Sequence, residues 1–407
     1  MKCRHCSTPL QHSFIDLGFA PPSNAYLEAE DLSRPEVHYP LRVKVCDRCW
    51  LVQTEDYARA DELFGADYAY FSSTSTSWLD HAARYATTIT DRLGLGPQSL
   101  VIEVACNDGY LLKNFLAAGV PCLGIEPTAG TAAAAEALGI PVIREFFGES
   151  LGRRLTDEGR QADLIAGNNV YAHVPDINDF TRGMAAALKP EGTITLEFPH
   201  LVPLIEHTQF DTIYHEHFSY LSLTAVATIF AAAGLRVWDV EQLPTHGGSL
   251  RVYGCHADAP VATADSVTDL LNHEKKFGIT RLETYTTFQA RADRVKDDFV
   301  AFLIDQKRSG HRVAAYGAAA KGNTLLNYAG IRPDLLPFVC DAAAAKQGKF
   351  LPGSHIPIRP PDAVRETAPD TVVILPWNIA DEVRSHLADV AESGTRFVTA
   401  IPELRFL

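Results

Sequence analysis

Two stretches of the chain carry side chains whose types and spacing suit chemistry. Tyr214-His215-Glu216-His217 packs a phenol, two imidazoles and a carboxylate into four residues. In His-x-His the imidazoles point to opposite faces of a strand or lie far apart around a helix, so shared metal ligation would need a loop. Proton transfer is the better use, because a neutral histidine is a base poised near pH 7 and its neighbours can orient the ring. His217 is the expected active imidazole, with Glu216 beside it, and His215 is expected only to hydrogen-bond a loop.

The second stretch, Val101-Ile102-Glu103-Val104-Ala105-Cys106-Asn107-Asp108-Gly109-Tyr110-Leu111, reads as a buried strand entering a tight turn and then a helix. Glu126, followed by Pro127, closes the next strand at the distance where an acidic residue holds a ribose. A dinucleotide fingerprint would place glycines at 105, 107 and 109, but Ala105, Asn107 and Gly109 stand there. Losing the second glycine disfavours a pyrophosphate pressed on the backbone. An amino-acid carboxylate and a sulfonium need less clearance, so S-adenosylmethionine fits better than NAD. Asn107 and Asp108 are expected to hold the methionine amine and Glu126 the ribose; the alternative is a plain strand–turn–helix with a solvated Asp. Asn168 and Asn169 follow the predicted strand Asp163–Gly167, at whose end such a sheet opens its crevice.

Four of the eight cysteines form two C-x-x-C knuckles, Cys3/Cys6 and Cys46/Cys49, able to give four thiolates to one tetrahedral zinc. Four thiolates leave no open position, so the zinc is expected to be structural, with His5 outside the ligand set. The remaining cysteines lie in apolar segments and read as core thiols.

The net charge of −14, with no basic runs, excludes a sequence-independent grip on nucleic acid. Hydrophobic content of 46% and charged content of 21% suit a soluble globular protein. No apolar run approaches a membrane span and no signal-peptide pattern opens the chain, so the expected location is the cytoplasm. The predicted elements alternate: a helix from Trp78, strands at Ser99–Val104, Pro121–Ile125, Asp163–Gly167 and Gly192–Glu197, and helices between. Leu235–Val240 and Ser249–Gly254, too close for a crossover, should pair antiparallel. Parallel βαβ units ending in an antiparallel pair outline a class I methyltransferase domain. Helix-favouring sequence from Ser266 to Arg308 leads into a second, smaller alternation. The expected fold is α/β in three domains: a zinc-binding unit at 1–75, a Rossmann-like methyltransferase domain at 76–262, and a linker with a smaller Rossmann-like domain at 263–407.

Three further loops could touch substrate. Thr245-His246-Gly247-Gly248 is either plain turn chemistry or a place for a sugar to approach His246 closely. Tyr316-Gly317-Ala318-Ala319-Ala320-Lys321-Gly322-Asn323-Thr324 enters a helix with a lysine, a natural phosphate seat. Trp377, at another strand end, would stack a base or sugar, or pack an interface.

At these residues the chain resembles the NDP-hexose 3-C-methyltransferases. The resemblance covers essentially the whole chain and shows in the knuckles, Tyr70-Phe71-Ser72-Ser73, Glu103–Gly109, Asn168–Asp176, Glu197-Phe198-Pro199-His200, Gln209–His217 and Tyr316–Thr324. It departs after Asp341, which lacks the Asn-Pro-Tyr-like residues expected there, and at Gly130, where Asn is expected. The resemblance implies a nucleotide-activated 4-keto-hexose as substrate, dTDP-linked before GDP-linked. Tyr70, Ser72, His200, His246, Lys321, Asn323, Thr324, Asp341 and Trp377 form the expected substrate set, and Tyr214, His217 and His173 would lie near the reacting carbon. His217, with His173 in reserve, would remove the C3 proton; Tyr214 would steady the enolate oxygen, and the carbanion would take the methyl group in line, leaving S-adenosylhomocysteine. A monomer would suffice. The rivals are a sugar O-methyltransferase, a zinc-containing NAD dehydrogenase, which should keep an intact glycine fingerprint, and a zinc-ribbon adaptor, which leaves Tyr214–His217 unused.

Overall fold

The computed structural model describes residues 1–57 and 71–407, so Tyr70 lies outside the described residues. Strand β1 (His12–Ala20) pairs antiparallel with β2 (Tyr39–Val45), and β2 with β3 (Val52–Thr54). Along β2, Leu41, Val43 and Val45 turn inward in the period-two pattern of a half-buried strand. The helix Thr76–Leu93 follows. Ser75 caps it by accepting the Trp78 N–H, and Gly94 ends it at φ 62°.

The central sheet comprises β4 (Val101–Val104), β5 (Cys122–Ile125), β6 (Val142–Ile143), β7 (Ala162–Asn168) and β8 (Leu188–Pro199). Beyond them come β9 (Ser219–Tyr220), which belongs elsewhere, and the pair β10 (Leu235–Leu243) and β11 (Ser249–His256). The order is β10-β11-β8-β7-β4-β5-β6; β4 to β8 run parallel, and β11 is antiparallel to both its neighbours. This is the expected methyltransferase outline. Every residue of β4 and β5 is buried, as a parallel sheet covered on both faces requires. Sequence periodicity misses the two-residue β6 and the charge-rich helix Glu149–Asp157, which buries only Leu151, Gly152 and Leu155.

β9 joins the first sheet instead, completing the order β1-β2-β3-β9. The amino-terminal unit thus borrows a strand from chain more than 150 residues downstream. Helices Asp265–Phe277, Glu283–Thr286 and Phe288–Arg308 then lead to a third sheet. Its strands are β12 (Val313–Tyr316), β13 (Val339–Cys340), β14 (Ile358–Arg359), β15 (Thr371–Ile374), β16 (Arg396–Thr399) and β17 (Arg405–Phe406). They lie in the order β14-β13-β12-β15-β16-β17, parallel except for β17.

The apolar cores do not follow the expected division. Phe14, Ile15, Leu41 and Val43 of the first sheet share one buried cluster with Phe288, Phe299, Val313 and Val339 of the carboxy-terminal part. Phe14 stacks on Phe288 at 4.4 Å between ring centroids. Cys3, Cys46, Cys49 and Leu51 instead share the cluster of the central sheet. Among the described residues no helix is long and apolar enough to cross a membrane.

Helices Glu149–Asp157 and Ile177–Ala187 meet through glycines. A Cβ on Gly152 would stand 2.3 Å from the Gly183 carbonyl oxygen, and one on Gly183 would stand 2.6 Å from the Gly148 carbonyl. Because the obstacle is backbone, Gly152→Val should destabilise by about 3 kcal/mol. Gly130→Ala, whose Cβ meets nothing within 4 Å, should leave stability unchanged or raise it by about 0.5–1 kcal/mol. Denaturant midpoints of the two variants check this; equal midpoints would refute the close helix contact.

Candidate active site

The chain reverses its winding between β4 and β7, so the crevice opens at their carboxyl ends. There Ala105, Asn107 and Gly109 have φ of 57°, 50° and 78°. All three positions of the missing glycine pattern keep the left-handed backbone that glycine favours, two of them with a side chain. The Asn107 N–H and the Thr128 N–H donate to the two oxygens of Glu126 at 3.0 and 2.9 Å. The Glu126 carboxylate therefore fixes the turn, with lone pairs left for a ribose. Pro127 follows at the crevice edge. Gly124 supplies room underneath: a Cβ there would meet Cys106 Sγ at 2.4 Å.

Asn107 Oδ1 accepts the Ser72 N–H at 2.9 Å, and Asp108 Oδ2 accepts the Ser73 N–H at 3.0 Å. The two side chains expected on an amine thus also anchor residues 72–73 over the turn. Asp108 Oδ1, Asn168 Oδ1 and Asn169 Oδ1 are buried acceptors without a hydrogen bond. Such buried acceptors around one crevice call for a ligand rich in donors, and the amine and hydroxyls of S-adenosylmethionine fit. Glu103 lies fully buried beneath. Desolvation pushes its carboxyl well above the usual range, opposed by Tyr110 and reinforced by the nearby Asp108 and Glu126.

The Tyr214–His217 segment lies in irregular backbone behind the 3₁₀ turn Phe210–Thr212. The His217 Nδ1–H donates to the Thr212 carbonyl at 2.8 Å. A carbonyl only accepts, so the neutral ring keeps its lone pair on Nε2. Tyr214 lies 4.0 Å and His173 4.6 Å from His217 between ring centroids. Burial holds His217 well below its ordinary value, helped by His173 and His246 whenever those rings take up a proton and by the standing charge of Lys321. Burial likewise brings His173 down to about 4, against a hydrogen bond with the Glu216 backbone. Glu216 is buried, accepts from Asn24 Nδ2 at 3.1 Å, and is pushed up by desolvation. It points to the amino-terminal loop rather than to an imidazole. His215 is buried and faces Tyr39, with ring centroids 6.0 Å apart.

Across the cleft, Lys321 Nζ donates to Asn378 Oδ1 at 3.1 Å and sits 4.7 Å over the Trp377 ring. The Trp377 indole N–H donates to Asp211 at 2.7 Å, and a Cβ on Gly247 would strike that ring at 2.3 Å. A lysine and a glycine turn thus pack on Trp377, as its interface-packing reading requires. Burial raises Asp211 to about 6, opposed first by Lys321. His246, at φ 53°, accepts from Asn169 Nδ2 at 3.1 Å, and burial lowers it to about 4. Gly247 and Gly248 are fitted to Trp377 and Pro203, so packing accounts for the glycine pair.

Several residues expected on substrate are engaged elsewhere. His200 forms a buried pair with Glu274 at 2.8 Å. Asn323 Nδ2 donates to the Ser23 carbonyl, and the Thr324 hydroxyl donates to the Ile213 carbonyl at 2.9 Å, bracing the chain before Tyr214. Asp341 accepts the Ala343 N–H at 2.8 Å and faces Lys346 at 3.5 Å. Ser72 meets the cofactor turn, as above.

Sequence reasoning left one cluster without a role. Glu197, fully buried, accepts from Arg251 Nη2 at 2.7 Å and from the Thr245 hydroxyl at 3.0 Å, and pairs with His81 at 2.9 Å. Trp78 stacks on His81 and also reaches Tyr110 and His246. A carboxylate at the end of a buried strand was the available signal; which cations meet it depends on the tertiary fold.

The four knuckle sulfurs lie within 4.8 Å of one another, with Cys3–Cys49 and Cys6–Cys46 both at 3.5 Å. Zn–S bonds of ~2.3 Å in a tetrahedron set sulfurs ~3.8 Å apart, so the set fits zinc. Gln53 Nε2 donates to Cys3 Sγ at 3.2 Å, as a thiolate favours. His5 turns its Nδ1 to Asn178 Oδ1 at 2.7 Å, outside the ligand set. Removing zinc with a chelator should open residues 1–54 to amide hydrogen exchange while S-adenosylhomocysteine affinity persists, because the crevice residues above belong to the central sheet. Unchanged exchange after complete metal loss would contradict a structural site.

Three family models match the chain: a zinc binding domain over residues 3–64, a methyltransferase domain over 78–240, and a C-methyltransferase C-terminal domain over 244–402. The C-methyltransferase NovU of Streptomyces niveus is 36% identical over 406 residues, spanning 100% of this chain and 96% of that protein. A ubiquinone biosynthesis O-methyltransferase of Rhodopseudomonas palustris is 26% identical over 152 residues, 32% of this chain and 60% of its own. Magnesium protoporphyrin IX methyltransferase of Synechocystis, solved with S-adenosylmethionine, superposes with a TM-score of 0.34 at 14% identity, over 48% of this chain and 89% of that one. With a full-length relative and three matched domains, the chain belongs to the C-methyltransferase family and is an S-adenosylmethionine-dependent, zinc-binding enzyme.

Proposed function

We propose that the enzyme methylates C3 of a nucleotide-activated 4-keto-deoxyhexose in deoxysugar biosynthesis. The observation that carries this reading is the His217 imidazole, pinned through Nδ1 and presenting its Nε2 lone pair beside His173 and Tyr214. A sugar C–H is not acidic, but one next to a ketone is removable when the enolate oxygen is stabilised. His217 takes the C3 proton, and the electron pair moves onto the C4 oxygen. Tyr214 donates to that oxygen, a contribution of about 3 kcal/mol, and the Lys321 charge favours the same anion. S-adenosylmethionine, which Asn107, Asp108 and Glu126 would hold, would supply the methyl electrophile for this carbon and leave as S-adenosylhomocysteine. His217 afterwards releases its proton. His173, held neutral by burial, serves as the reserve base.

On this reading residues 76–262 hold the methyl donor, with Glu103, Ala105, Asn107, Asp108, Gly109, Glu126, Pro127, Asn168 and Asn169 around it. Residues 263–407 grip the nucleotide diphosphate, and a thymidine nucleotide is favoured over guanosine.

His217→Ala should lower deuterium exchange at C3 by about 100-fold or more while S-adenosylhomocysteine and nucleotide binding persist; exchange at the wild-type rate would move the base elsewhere. The downward shift of His217 sets the sign of the pH dependence. Its neutral form persists at and below the ordinary histidine value of 6.5, so exchange should stay flat from pH 8 to 6.5 and fall only in more acid solution. An acid limb at 6.5 or higher, in a profile of kcat/KM, would contradict this. Product NMR separates a carbon-bound methyl from a methyl ether.

A further inference from the structure

A zinc site without an open coordination position has no evident part in the reaction, yet this one is tied by hydrogen bonds to both catalytic histidine segments. One connection runs through Asn178, the second residue of helix Ile177–Ala187. Its Nδ2 donates to the carbonyls of Arg4 and His5 at 3.2 and 2.9 Å, and its Oδ1 accepts from His5 at 2.7 Å. Arg4 and His5 are the two residues between the first pair of cysteines. Arg4 Nη1 also donates to the Pro175 carbonyl at 2.8 Å. The knuckle thereby grips residues 175–178, the chain that follows His173.

The other connection runs through β3. Gln53 donates to Cys3 Sγ and accepts the Arg4 N–H at 2.8 Å. Next to it, the Thr54 hydroxyl donates to the His217 carbonyl at 3.2 Å, and the Thr54 N–H donates to the Phe218 carbonyl at 3.1 Å. Gln53 stands opposite Ser219, and Val52 opposite Tyr220, in the β3–β9 ladder. The loop is closed by the Phe218 N–H, which donates to the Ala172 carbonyl at 2.8 Å. Neither His173, on a single 3₁₀ turn, nor His217, in irregular backbone, sits on a rigid element of its own. Their mutual placement is supplied from outside.

We propose that Asn178 and Thr54 are positioning residues through which the cysteine knuckles set the geometry of the His173–His217 pair. This rests on those histidines carrying the proton transfer proposed above. A reacting group displaced by about 1 Å loses rate by about 100-fold, so a small loosening of either connection should show in turnover rather than in binding.

The experiment compares Asn178→Ala, Thr54→Val and Thr54→Ser in the full-length zinc-loaded protein. Thr54→Val keeps the shape and removes only the hydroxyl, so it should fold. Asn178→Ala and Thr54→Val should keep full zinc content and S-adenosylhomocysteine affinity, with KM changed less than about threefold and kcat for exchange lowered by about 10- to 100-fold. Thr54→Ser should restore the rate. In 15N-histidine-labelled protein the His217 Nδ1–H signal should shift or broaden in Thr54→Val and return in Thr54→Ser. Wild-type turnover with an unshifted signal in Thr54→Val and Asn178→Ala overturns the proposal, as does a Thr54→Ser variant no better than Thr54→Val, or a rate loss that only tracks loss of zinc. If the wild type itself shows no exchange at C3, the base assignment fails, and the histidine signal still decides the positioning role.

Discussion

One hydrogen bond, from the Nδ1–H of His217 to the carbonyl of Thr212, determines which nitrogen of that ring can receive a proton. Everything around it serves to keep that bond and its orientation. Thr324 holds the neighbouring Ile213 carbonyl from the carboxy-terminal part, and Trp377 fixes Asp211 one residue before Thr212. Thr54 holds the His217 carbonyl from the amino-terminal sheet. Two parts of the chain thus converge on residues 211–217, and burial there favours the neutral form of both imidazoles beside a lysine. Desolvation is the largest influence on both rings. The lysine charge adds to it on His217, and in a medium of low dielectric that charge acts more strongly than it would in water.

The cofactor crevice follows a different constraint. Its backbone bends are those of a glycine-rich loop, although alanine and asparagine occupy two of the three positions. The strain of two side chains in left-handed backbone is held by the surroundings. Glu126 fastens the Asn107 N–H, and the Asn107 side chain is itself put to use, holding residue 72 over the turn. A bare glycine there would bend as readily but could not hold the segment above it.

Much of this was legible beforehand. The alternation of strands and helices, the antiparallel edge pair and the C-x-x-C spacing all depend on local pattern, and the sheets and the sulfur cluster agree with them. What sequence could not show is where long-range pairs close. His200 looks like a polar residue at a strand end, but its partner Glu274 comes from a distant helix. Asn323 and Thr324 look like a phosphate loop, yet their side chains brace Ser23 and Ile213. Trp377 reads in sequence as either a stacking ring or interface packing, and the glycine turn pressed against it comes from more than 120 residues upstream. β9 is two residues long, below any periodic signal, and it joins a sheet whose other strands end before residue 55.

The shared apolar cluster carries a consequence for how such enzymes can diverge. Phe14 and its neighbours are buried against the helices Glu283–Thr286 and Phe288–Arg308 and share their cluster, rather than forming a core of their own. A hybrid made by joining the front half of one relative to the back half of another would therefore cut through packed side chains. Exchange of the rear portion therefore requires that the facing surface of the first sheet travel with it.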